Sequence, residues 1–210
     1  MPVTTRTRTA VIVGAPILLI ALSLAHGLDW VMMHGLDDEN YAAFIQYIVD
    51  IRGRWLAVHL AGLVVFPLLG VAVWWMLPPG RLASRISRLA LAPYIVLYPA
   101  FDAVAGIGTA IVAGDRAGLP AEQRPIADGI MWSLMGESDP AFYLAEVASY
   151  AWAVGIAAAA VALLQERRWR VAVPLLFGGA VFFHSHFPPF GAIAGVMLAI
   201  SAWQFSATAR

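Results

Sequence analysis

The sequence predicts an all-α membrane protein: a six-transmembrane-helix bundle with short amphipathic helices on its outer face. Three observations carry that expectation. Six apolar stretches divide the 210 residues, hydrophobic residues make up 61% of the chain and charged residues only 12%. The arginines also gather in alternate breaks between the stretches. A soluble domain carries about 25% charged residues, so a mean hydropathy of +0.76 excludes a water-soluble globule. The range 1–210 reads as a single integral membrane domain.

A helix needs about 20 residues to cross a hydrocarbon core. The spans predicted on that basis are 10–28, 55–77, 89–112, 141–164, 171–185 and 189–205. The fifth is short and reaches across only with Trp169 and His186 at the interfaces. The turn that follows holds Pro188 and Pro189, which end one helix and open the next. The first span has a rival reading as a signal peptide, because Arg6 and Arg8 precede it and Ser23-Leu24-Ala25 resembles a cleavage site.

Positive charge sets orientation. With the N-terminus in the cytoplasm, the inner segments hold nine arginines against one acid, Glu166, and the outer segments four arginines against ten acids. Both termini are then cytoplasmic and the expected location is the plasma membrane. Two outer segments show helical periodicity: 37–50, through Tyr41, Phe44, Ile45 and Ile48, and 120–135, through Ile126, Ile130, Met131 and Leu134. Small residues four apart, as in Ala151, Gly155 and Ala159 or Gly106 and Ala110, read as packing seams. No internal repeat marks an inverted-repeat transporter.

Absent residues narrow the chemistry. The chain has no cysteine, which excludes disulfides, thiolate metal sites and cysteine nucleophiles. All 13 basic residues are arginine, so no lysine can form a Schiff base. Phosphate loops, serine-hydrolase elbows and basic nucleic-acid surfaces are missing too.

The five histidines, His26, His34, His59, His184 and His186, all fall at or near the outer side. Asp102 is the leading catalytic candidate, because a carboxylate within a span costs roughly 3 kcal/mol or more and needs a partner. Tyr98, one turn away, is the expected donor to it. Glu146, flanked by Tyr143 and Tyr150, is a second acid. Imidazole with carboxylate suits zinc, iron, manganese or copper, and the predicted ligands of such a divalent transition metal are His59, Asp102, Glu146, His184 and His186. A softer copper set of Met32, Met33, His34, Met131 and Met135, and a haem between His59 and His184, are weaker alternatives. His26 and His34 read as interfacial.

Three functions follow. One is a metal or acid–base site acting on a membrane-soluble substrate. The second is a proton- or cation-coupled transporter using Asp102, and the third a structural or accessory subunit. The partners expected are the lipid bilayer, a lipophilic small molecule or a cation, and a homo-oligomer or larger membrane complex.

Overall fold

The computed structural model describes residues 4–27, 41–135 and 140–208. Among these residues every regular element is a helix. The chain order is α1 (Thr5–Ala25), α2 (Tyr41–Asp50), α3 (Arg52–Met76), α4 (Leu82–Asp102), a π-helical turn (Ala103–Gly108), α5 (Thr109–Arg116), α6 (Arg124–Met135), α7 (Pro140–Gln165), α8 (Trp169–His184) and α9 (Phe190–Thr208). Five helical segments are long and apolar enough to cross a membrane: α1, α3, the continuous rod Leu82–Arg116, α7 and α9. The 16 residues of α8 extend about 24 Å, short of a hydrocarbon core of about 30 Å. The sequence marks that same span as the short one.

The six long segments pack as a closed ring. Each of α1, α3, α4, α7, α8 and α9 neighbours the next, and α9 returns to α1. Because α1 buries Ile12, Ala15, Leu19 and Leu22 in the common core, it forms one wall of the bundle. Its start, five residues before the predicted one, follows from a cap: the Thr4 hydroxyl accepts from the Thr7 N–H at 3.2 Å, satisfying one orphan donor of the first turn. The core is strongly aromatic, with Tyr94, Trp152 and Phe182 in contact at 4.6–6.3 Å between ring centroids. The seam at Gly155 holds as predicted, since Ser87 donates to the Gly155 carbonyl at 2.7 Å where α4 meets α7.

Arginines close one end of the ring. Arg8 donates to the Trp75 carbonyl, Arg88 to that of Leu77 at 3.2 Å, and Arg81 pairs with Glu166 at 2.7 Å. Between α7 and α8 the chain turns through Arg167, whose φ of +58° is a left-handed conformation usually left to glycine. Its N–H bonds the Leu164 carbonyl at 2.8 Å and the Arg168 N–H bonds that of Leu163 at 2.9 Å, which closes the helix end. An L-residue pays about 1 kcal/mol for that backbone.

The opposite end carries the elaboration. The rod runs past the predicted boundary at 112 to Arg116, and its C-terminal part is the platform for α2 and α6. Phe44, Ile45 and Ile48 of α2, Trp55 of α3, Ala110 and Ala113 of α5 and Met131 of α6 form a second core. The two amphipathic helices are therefore present, and α2 buries its apolar face on protein while α6 does so only in part. In α6 the buried side is Ala127 and Met131, while Ile126 and Ile130 are exposed. Met131 is thus a core residue with Met135 packed beside it. Met32, Met33 and His34 lie outside the described residues.

Candidate functional site

Four segments place polar side chains at one buried spot in this elaborated half. His26 follows α1, where the helix stops and Gly27 turns the chain with φ +94°; the Arg54 guanidinium packs against that glycine. His59 stands two turns into α3. Tyr98 and Asp102 lie one turn apart on α4, so they share a face. His186 lies in the turn between α8 and α9, where Ser185 is extended and its hydroxyl accepts from the Phe187 N–H at 3.0 Å. The Pro188–Pro189 peptide in that turn is cis. All five side chains are buried.

Together they make a closed loop of contacts that begins and ends on α4. His59 Nδ1 is 2.7 Å from Asp102 Oδ1. The His59 ring meets His26 edge-on with centroids 5.1 Å apart, and His26 meets His186 in the same way at 5.4 Å. His186 Nδ1 is 2.9 Å from the Tyr98 hydroxyl. His26 thus stands between two imidazoles, each anchored through Nδ1 to an oxygen. Their other nitrogens, His59 Nε2 and His186 Nε2, are buried with no hydrogen-bond partner, as is Asp102 Oδ2. A buried polar atom left unsatisfied costs roughly 1–3 kcal/mol, so three in one cluster ask for a ligand.

The surroundings fix these side chains. Trp55 lies against His59 at 4.6 Å and Phe187 stacks on His186 at 4.4 Å, covering the loop from outside. Phe66 closes the other side, 4.8 Å from Tyr98 and 5.3 Å from His186. The π-helical turn begins directly after Asp102. Such a turn adds a residue to the helix and shifts the following face; here it leaves the Gly106 carbonyl accepting from Trp55 Nε1 at 3.0 Å. Gly106 lies so close to His59 that any Cβ would run into the imidazole, and a Cβ on Gly62 would collide with Asp102 Oδ2. Gly106 is therefore a site-shaping residue and not only a packing seam.

Several sequence expectations change. The partner of Asp102 is His59, and Tyr98 serves His186 instead. His184, the last residue of α8, is exposed and packs on Phe190 at 4.6 Å, whereas His186 is buried. The structure places His184 apart from the contacts that join Asp102, His59, His26, His186 and Tyr98. Glu146 is half-buried between exposed Tyr143 and Tyr150, and makes no hydrogen bond with the imidazole loop. Among the described residues no three His, Asp or Glu side chains stand together at the spacing of a formed metal centre.

His26 is the residue that sequence reasoning missed. Its signal was local: a histidine followed at once by glycine, where a helix ends and the chain turns inward. Comparison with protein-family models, with curated proteins and with solved structures gives no match.

Proposed function

We propose that the chain is a six-span plasma-membrane protein, with both termini cytoplasmic, whose outer half binds a divalent transition-metal ion through His26, His59 and His186. The observation that carries this reading is the pair of buried imidazoles anchored at Nδ1 and unpartnered at Nε2, with a third imidazole between them. Metal-ligating histidines characteristically give their second ring nitrogen to a carboxylate or another oxygen, which fixes ring and tautomer. Asp102 and Tyr98 would fill that supporting role. Spacing supports the same reading. With a metal–nitrogen bond of about 2.1 Å and a tetrahedral angle, two imidazole centroids lie about 5 Å apart, close to the 5.1 and 5.4 Å found around His26.

His59 and His186 flank His26 on two sides, so these three imidazoles are the ligands the proposed ion would take. Imidazole nitrogen suits zinc, copper or iron. A metal with three protein ligands keeps a position for water or a substrate oxygen, which fits acid–base work on a membrane-soluble substrate. The test is metal stoichiometry after zinc loading and dialysis of detergent-purified protein. Wild type and His184→Ala should hold about one ion per chain, and His59→Ala and His186→Ala should hold far less. Equal retention in all four would exclude this site.

A second reading is proton- or cation-coupled transport through Asp102. The observation favouring it is the buried pair Asp102–His59, a carboxyl and an imidazole 2.7 Å apart that can share a proton inside the bundle. Proteoliposomes carrying a pH gradient would then show a flux that Asp102→Asn abolishes.

A further inference from the structure

At the arginine-rich end a groove of 680 Å³ runs between α8 and α9. Its mouth is formed by Arg167, Arg168 and Arg170, and its walls by Val173, Ile200 and Trp203 among others. We propose that this groove binds one anionic phospholipid, with the phosphate on the guanidinium groups and an acyl chain along the apolar walls. This inference is independent of the imidazole site, which lies at the opposite end of the bundle.

Charge is the first argument. Three arginines and no acid line the groove, and the adjacent acid, Glu166, is paired with Arg81 at 2.7 Å. The net field at the mouth is therefore positive, and basic clusters beside a bilayer attract anionic headgroups. Arginine also suits phosphate geometrically, through parallel N–H donors.

The second argument is how the cations are held. Arg168 lies over the Phe205 ring at 4.9 Å and Arg170 over Trp169 at 5.3 Å. The faces of both guanidinium groups are thus occupied by aromatic rings, while their N–H edges remain available for oxygen acceptors. Arg167 occupies a left-handed position, φ +58°, at which glycine is the unstrained residue.

The third argument concerns the occupant. Val173 and Trp203 are exposed on the groove wall, so its long side faces hydrocarbon. Trp169 and Trp203 both line it, and tryptophan settles at headgroup level. A soluble phosphate would leave that apolar wall uncovered, whereas a diacyl phospholipid matches both halves.

The experiment is native mass spectrometry of the detergent-purified full chain with phosphatidylglycerol or phosphatidylcholine of identical acyl chains, and with glycerol phosphate as competitor. Wild type should retain phosphatidylglycerol in preference, and glycerol phosphate should not displace it. Arg167→Gly suits the existing turn and should fold at least as well as wild type by thermal melt. Together with Arg170→Gln it should lower phosphatidylglycerol retention, by roughly fivefold for each charge removed. Equal retention of the two lipids, unchanged retention in the double variant, or displacement by glycerol phosphate would overturn the proposal.

Discussion

His59 Nδ1 lies 2.7 Å from Asp102 Oδ1, both side chains being almost wholly buried. This contact joins the second and third membrane-crossing segments, and it fixes which imidazole nitrogen is left for a ligand. With Nδ1 engaged, Nε2 is the ring nitrogen left buried without a hydrogen-bond partner. Removing only one partner strands the other in a low-dielectric setting, which costs more than the pair itself contributes.

Asp102→Asn should accordingly separate two roles. Asparagine can still accept from His59 Nδ1–H, so the fold should survive with a loss of about 1–3 kcal/mol. Zinc affinity should fall about 10–100-fold, the usual cost of losing a supporting carboxylate. Isothermal titration beside a thermal melt checks both, and an unchanged affinity would remove Asp102 from the supporting role.

Tyr98→Phe deletes the oxygen that orients His186 while leaving the ring packed between Phe66 and Phe182. The expected stability loss is about 1 kcal/mol, with zinc affinity falling about tenfold. Because Tyr98 serves His186 and Asp102 serves His59, the double variant should lose affinity by nearly the product of the single losses. The double-mutant cycle measures it.

Gly106→Ala and Gly62→Ala should disturb the site through shape alone, since each new methyl would meet His59 or Asp102. Overpacking of this kind costs about 1–3 kcal/mol. Gly14→Ala, with nothing within 4 Å of the added carbon, is the control and should be neutral or slightly stabilising. Equal melting temperatures for all three variants would contradict the packing described around His59.

Metal retention should weaken as the medium is acidified, because imidazole binds a metal only in its neutral form. Protons and zinc compete for the same nitrogen, so affinity is highest on the alkaline side and falls with pH. Dialysis at a series of pH values gives the profile; a flat one would point away from imidazole ligands.

Much of this architecture was readable before any coordinates. Apolar runs and arginine-bearing breaks located the helices because bilayer thickness and backbone satisfaction leave a chain few other ways to cross. Asp102, Tyr98, His59 and His186 stood out for a related reason: polar groups are costly where the surroundings are apolar. What sequence could not give was which of them meet. Tyr98 and Asp102 are ideal neighbours along one helix, yet both turn to histidines from other segments. His184 and His186 are two residues apart on either side of the end of α8, yet the first is exposed and the second buried. Helix periodicity assigns faces within an element, but it does not see a π-helical turn or a partner 88 residues away, the separation of Tyr98 and His186.

If histidine imidazoles from three segments close on one ion, X-ray absorption at the zinc edge will register each ring. Zinc-loaded wild type should show nitrogen at about 2.0–2.1 Å with outer-shell scattering from two or three imidazole rings, and His26→Ala should show one ring fewer. A shell dominated by water or carboxylate oxygen, or one unchanged by His26→Ala, would contradict it.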